Sequence, residues 1–255
     1  MKVDSKTAGW VTGIVLIGGT LALLASLLPD PLAVHPEQRM QLLTDNLGRS
    51  ILSRLAHGVG NSVVLVLLIL IPTLLISVPA GLWAASDRRI AAFLDTLAGA
   101  VWSLPTIIVG LVVFATLEGR YVEVKYVALG FFNWVPIYRA VRDMTREVRE
   151  SSYYEFGRML GFSSPALATY ITWPNVWPEV FPVIMLNVAT LFEAEFVLGF
   201  LGLSYPSPTA TLGSMLHRGL EYVHPPLVLL PSLVIALLVG GALFMGRTTY
   251  RNPSD

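Results

Sequence analysis

Long stretches of this chain carry no charged side chain, and short charged clusters separate them. A helix needs about 20 residues to cross the roughly 30 Å hydrocarbon core of a bilayer. Runs free of Asp, Glu, Lys and Arg that meet or approach this length extend from Trp10 to Leu28, Asn61 to Ser86, Thr96 to Leu117 and Pro225 to Gly246. A fifth, from about Val180 to Leu203, qualifies with Glu193 and Glu195 inside it. A sixth is short: between Lys125 and Arg139 there are too few residues to cross, so the span borrows Tyr121 to Glu123 or lets its end cations snorkel, with Trp134 and Tyr138 as interface anchors. The pattern predicts an all-α integral membrane protein with about six transmembrane helices, at 10–28, 61–86, 96–117, 122–141, 180–203 and 225–246, in a single transmembrane domain covering 1–255.

Composition agrees with lipid as the main solvent. The chain is 54% hydrophobic and only 13% charged, with mean hydropathy +0.65, outside the range of an ordinary soluble domain. Its net charge is zero, which argues against a nucleic-acid binder, since that function needs a clustered basic excess. There is no cysteine, so disulfides, thiolate metal sites and a cysteine nucleophile are excluded.

Charge placement sets the expected orientation. With the N-terminus inside, eleven Lys and Arg lie inside (Lys2, Lys6, Arg88, Arg89, Arg139, Arg142, Arg146, Arg149, Arg158, Arg247, Arg251) and six outside (Arg39, Arg49, Arg54, Arg120, Lys125, Arg218). The positive-inside rule then puts both termini in the cytoplasm. Lys2 and Lys6 before the first apolar run also suit a signal peptide. That run is longer than a signal's apolar region, and Leu28-Pro29-Asp30 lacks a small-residue cleavage site, so a retained anchor is expected. Prolines 72, 79, 105, 136, 182 and 231 fall within the predicted spans. Neighbouring helices in a membrane can satisfy the carbonyls they free, and the resulting kinks serve either a pathway or simple packing.

The longest polar stretch between spans, about 142–178, separates spans four and five. It opens with a charged segment, Arg142 to Glu150, in which Arg146 and Glu150 can pair at i,i+4. Tyr153, Phe156, Gly157 and Leu160 then recur at i, i+3, i+4 and i+7, one apolar helical face, with Glu155 and Arg158 off it. Gly161 stands where a left-handed residue would end that helix. Ser163 or Ser164 before Pro165 reads as a fresh N-terminus, and Pro174 is expected to close this second helix.

Glu155-Phe156-Gly157, three residues, Gly161, nine residues, Ile171-Thr172-Trp173-Pro174 resembles the EAA loop of ABC importer permeases: Glu-Ala-Ala, three residues, Gly, nine residues, Ile-x-Leu-Pro. It departs at Phe156 and Gly157, where the pattern has alanines, and at Trp173, where it has leucine. Thr44-Asp45-Asn46-Leu47-Gly48-Arg49-Ser50-Ile51-Leu52-Ser53-Arg54-Leu55 resembles a stretch of the second permease of dipeptide, oligopeptide and nickel importers, with Ser50 in place of the usual Asp. Glu195 through Phe200-Leu201-Gly202-Leu203, followed by Pro208-Thr209 and Gly213-Ser214-Met215-Leu216, resembles that group's Phe-Leu-Gly-Leu-Gly segment and the loop after it, with Glu195 matching a glutamate of the group. Near the end of the last span, Phe244-Met245-Gly246-Arg247 replaces the group's Gly-Asp-x-Leu-Arg.

The resemblance implies a permease of the inner membrane of a prokaryote rather than an enzyme. It implies a homologous second permease, one or two ATPase subunits and an extracytoplasmic substrate-binding protein as partners, with lipid around the spans and no nucleic acid. Tyr153, Glu155, Phe156, Gly157, Leu160, Gly161, Ile171 and Pro174 would then form the cytoplasmic coupling loop that docks an ATPase subunit. The sequence has no Gly-x-x-x-x-Gly-Lys-Ser/Thr phosphate loop, so ATP and magnesium are expected on those partner subunits and no cofactor on this chain. The group imports both peptides and metals; peptides are the leading expectation and nickel or a metal chelate the alternative.

Glu193 and Glu195 are candidate pathway residues, because carboxylates are costly at membrane depth. They could bind a cationic part of the cargo or hydrogen-bond a neighbouring helix. An ion-coupled carrier would also use such groups but leaves the two-helix loop without a task. His217, Glu221 and His224 share a helical spacing, yet Pro225 follows at once, and an ordinary surface loop is expected there rather than a metal site. Ser204 or Ser207 with one of these histidines lacks the oriented third group that a hydrolase needs.

Overall fold

The computed structural model describes residues 32–33 and 43–249; the predicted span at 10–28 lies outside them. Among the described residues the chain is helical, with a lone antiparallel bridge between Thr44 and Ser50. They group into two compact units, one of residues up to Val64 with Glu195–Ile235, the other of Leu65–Ala194 with those from Ala236 onward.

Helix α1 (Ile51–Ala84) contains the predicted span 61–86 almost whole and continues through Pro72 and Pro79. Buried hydroxyls between the two prolines bond to backbone carbonyls: the Thr73 hydroxyl is shared between the carbonyls of Ile69 (2.9 Å) and Gly130 (3.1 Å), and Ser77 donates to Thr73 O at 2.7 Å.

The predicted span 96–117 is not one helix. Asp87 caps α2 (Arg88–Trp102) by accepting from the amides of Arg89 and Ile90. Helix α3 (Thr106–Thr116) then leaves at 85° to it. Pro105 explains the break: it has no amide to donate and biases Leu104 away from helical backbone. The predicted span 122–141 is also divided, into α4 (Val122–Gly130) and α5 (Val135–Glu150). Pro136 lies in the first turn of α5, where a missing amide costs nothing. The charged segment 142–150 therefore continues a helix begun at Val135 and does not start in the loop. Its buried stripe is Ile137, Tyr138, Val141, Thr145 and Val148.

After α6 (Ser152–Met159), helix α7 (Ser164–Phe200) runs unbroken for 37 residues. Pro174 does not close a short helix, contrary to the sequence expectation. A turn of π-helix at Ala168–Thr172 precedes it, with the Trp173 amide bonded to Ala168 O. The wider turn re-registers the carbonyls ahead of the proline ring, so the helix passes through. Helices α8 (Leu212–Glu221) and α9 (Pro225–Thr249) complete the described chain. By length and composition α1, α7 and α9 can each cross a membrane, and the bent α2–α3 pair makes a fourth if counted as one span. In the larger unit Ile137, Val141, Val148, Val176, Val180, Phe181, Ile184 and Met185 form the main core; in the other, Ile51, Ala210, Met215 and Leu227 do.

Candidate coupling site

Helix α6 ends in a complete Schellman motif. Gly161 has φ +78°, its amide bonds to Arg158 O at 3.0 Å, and the Phe162 amide bonds to Gly157 O at 3.2 Å. A left-handed residue at this place satisfies the last carbonyls of the helix and turns the chain sharply. Ser163, extended, then precedes the first turn of α7 with Pro165 inside it. The two-helix hairpin has the shape its sequence predicts up to that point.

Its faces are assigned differently. Tyr153, Phe156, Gly157 and Leu160 do not lie together on one buried stripe. Gly157 is buried against the side chains of Leu167 and Ile171 on α7, and Tyr154, like Ile171, packs on the main core of the unit. The inward edge of α6 is thus Tyr154 and Gly157, at i and i+3. Tyr153, Phe156 and Leu160 are left 48%, 61% and 60% exposed, next to Met159 at 77%. Glu155 and Arg158 are exposed beside them, Pro174 is exposed on α7, and Ile171 is half-buried at the hairpin's inner seam. Four large apolar side chains on a helix of two turns stay uncovered, while the glycine among them makes the internal contact.

The candidate pathway carboxylates separate as well. Glu193 is exposed, whereas Glu195 is fully buried. Neither oxygen of Glu195 makes a hydrogen bond of normal geometry. The Ser62 hydroxyl is the nearest polar group acting on it and accepts from the Leu212 amide at 3.2 Å. Among the loop histidines, buried His224 bonds through Nε2 to Thr44 O at 2.8 Å, and Ser204 Oγ bonds to the Thr211 hydroxyl at 3.2 Å.

One cluster lies in the Thr44–Leu55 stretch, which the sequence offers as a resemblance without a site role. Asp45 accepts from the amides of Leu47 and Arg49, each at 2.9 Å, and from Arg49 Nε at 2.7 Å. Arg54 Nε lies 3.6 Å from the same carboxylate, and Arg54 Nη1 donates to Pro208 O at 3.2 Å. Asp45, Arg49 and Arg54 are all at most 2% exposed. Burial alone would push the Asp45 carboxyl up, but the hydrogen bonds from the Arg49 side chain and from the two amides outweigh it and hold it below the ordinary value.

Residues 77–250, which hold the whole hairpin, match the family described as the inner membrane component of binding-protein-dependent transport systems. The chain belongs to this family. With its apolar helices, membership makes it a multi-pass membrane protein. Among curated relatives, the chain is 26% identical over 206 residues to a dipeptide transport system permease protein of Lactococcus lactis subsp. cremoris (strain MG1363), covering 80% of this chain and 60% of the relative. It is 27% identical to a di/tripeptide transport system permease protein of Pseudomonas aeruginosa (strain UCBPP-PA14), covering 82% and 70%. The chain spans about 60% of the length of the first curated relatives it matches. A chain of the inward-facing MetNI methionine ABC transporter superposes with a TM-score of 0.61 at 15% identity, covering 78% of this chain and 97% of that one; this likeness shows the permease fold.

Proposed function

We propose that this permease is one of two similar membrane subunits of an ATP-driven, binding-protein-dependent importer, and that α6 docks into a groove of an ATPase subunit. The observation that carries the proposal is the uncovered face of Tyr153, Phe156 and Leu160, held rigidly by the Gly157 seam and the Gly161 turn. Apolar side chains presented on a preorganised helix are the usual content of a helix-in-groove contact. Membership of a family named for dependence on a binding protein supports the remaining partners: an extracytoplasmic binding protein and one or two ATPase subunits carrying ATP and magnesium. In this reading both termini and the hairpin lie in the cytoplasm of a prokaryote and the spans in its inner membrane. ATP-driven closure of the ATPase subunits pushes on α6, and the bundle alternates between outward and inward access.

Peptides are the proposed cargo, supported by the names of several relatives. Glu193 is the carboxylate left open to a cationic group of the cargo, and Glu195 acts behind it as a polar joint between helices. The test is reconstitution of the chain with its genomic neighbours in proteoliposomes. Peptide-loaded binding protein should stimulate ATP hydrolysis and peptide uptake. Stimulation by a nickel chelate and by no peptide would overturn the cargo, and uptake that needs no ATPase subunit would overturn the importer.

A further inference from the structure

The break between α2 and α3 leaves backbone groups open within an apolar segment. In one continuous helix the amides of Thr106, Ile107 and Ile108 would bond to the carbonyls of Trp102, Ser103 and Leu104. The 85° bend removes all three bonds, and among the described residues none of these six groups finds another protein partner. The Ser103 and Leu104 amides still bond to Gly99 O (3.1 Å) and Val101 O (3.2 Å). Every residue from 102 to 108 is exposed. The break between α4 and α5 is closed by the chain itself. There the amides of Phe131, Phe132 and Asn133 each bond back to a carbonyl of α4, the Thr73 hydroxyl adds a bond to Gly130 O, and Asn133 Nδ2 donates to Asn187 Oδ1 at 2.9 Å.

The open break lies inside the charge-free run Thr96–Leu117. At 15 and 11 residues, neither α2 nor α3 reaches the roughly 20 that a crossing needs, so a span made of the pair has the break within it. Lipid offers no partner to an open amide or carbonyl, and non-helical backbone at that depth is stable only inside protein or against water. This chain does not cover it. A helix of a second permease, with its own backbone bonded internally, has few donors and acceptors to give to six groups, whereas water supplies both. We propose that residues 102–108 form part of the wall of a water-filled cavity, the translocation pathway. The proposal rests on the importer reading for the purpose of the cavity and on the open backbone for its place. The exposed leucines of α9 have the opposite character: Leu229, Leu233 and Leu237 follow one another at i,i+4 on a continuous helix, a face that lipid can cover.

The test places one fluorophore at the break and asks which solvent touches it. The sequence has no cysteine, so Ser103→Cys gives the full chain a single thiol for bimane, and Thr106→Cys does the same on the other side of Pro105. Leu237→Cys is the lipid-facing comparison. Each labelled chain is assembled with its second permease in nanodiscs and titrated with two quenchers, iodide in the water and nitroxide-labelled phosphatidylcholine in the bilayer. Iodide should quench at Ser103 and Thr106 about tenfold more strongly than at Leu237, and the nitroxide lipid should quench at Leu237 but hardly at the break. Quenching at the break by nitroxide lipid alone places it in lipid, by both agents at the headgroup boundary, and by neither against protein; each of these results overturns the proposal. Assembly is read separately by co-purification of the two permeases. Failed assembly overturns the importer reading and the purpose of the cavity with it, whereas the wrong quenching in an assembled pair overturns the wall alone.

Discussion

Gly157 of α6 and Ile171 of α7 are in direct contact across the hairpin: a β-carbon on Gly157 would fall 2.5 Å from Ile171 Cδ1 and 3.0 Å from Leu167 Cδ2. The spacing between the two ends of the sequence motif is thus the spacing needed to bring a small residue under an aliphatic one. The obstructing atoms are ends of flexible side chains. Gly157→Ala should therefore be mild and Gly157→Val should cost about 1–3 kcal/mol. Combining Gly157→Val with Ile171→Ala should recover part of this loss, a coupling of at least about 0.5 kcal/mol, measured by thermal unfolding of the four variants. Strict additivity would show that the two residues do not share a contact.

At Gly161 the requirement is backbone conformation and not space, since nothing lies within 4 Å of a β-carbon built there. Gly161→Val should cost about 1–2 kcal/mol for left-handed backbone, and Gly161→Asn considerably less, because Asn tolerates that region. Membrane insertion should survive in both. Uptake assays on the reconstituted system should rank wild type and Asn above Val; equal uptake by all three would remove Gly161 from the mechanism.

Gly161, the Ser163-Pro165 start and the span of α1 were readable in sequence because each depends on residues adjacent in the chain. What was not readable depends on distance or on compensation. Pro174 looks like a terminator until the π-turn ahead of it is seen, and that turn is a property of backbone registration with no residue signature. Trp102 and Thr106 lie in one apolar run, so composition joined what Pro105 bends by 85°. The inward side of α6 is chosen by Leu167 and Ile171, which the periodicity of α6 alone cannot report. Arg54 counts as an outside loop charge in the sequence because the carbonyl it donates to, Pro208 O, lies 154 residues further along the chain.

Asp45 should give stability a definite pH signature. Its folded value is lowered from 3.8, so its contribution is complete above that value and disappears as pH falls through the folded one. Asp45→Asn leaves buried guanidinium groups without their counter-charge and should cost about 3–5 kcal/mol near neutrality. The difference in melting temperature between wild type and variant should be constant from pH 7 to 5 and narrow below 3.8. A gap that widens toward acid would reverse the assigned direction.

Glu195, buried beside Ser62, should accept Gln and reject Lys. The amide keeps size and polarity, whereas a fixed cation there has no partner and should cost about 2.5–3.5 kcal/mol, seen as a lowered melting temperature and lost assembly. If Gln abolishes uptake with assembly intact, the negative charge itself is needed and Glu195 belongs with Glu193 in the cargo pathway.

The central claim is that the uncovered face of α6 binds the ATPase subunit, and a single substitution at its middle addresses it. Phe156 is 61% exposed, so Phe156→Glu introduces a charge with little internal cost and should leave the permease folded and paired with its membrane partner. Quantitative co-purification of the ATPase subunit with wild type and with Phe156→Glu is the decisive measurement. The account predicts full recovery of the second permease and at least tenfold less ATPase subunit with the variant; wild-type amounts of the ATPase subunit would contradict it.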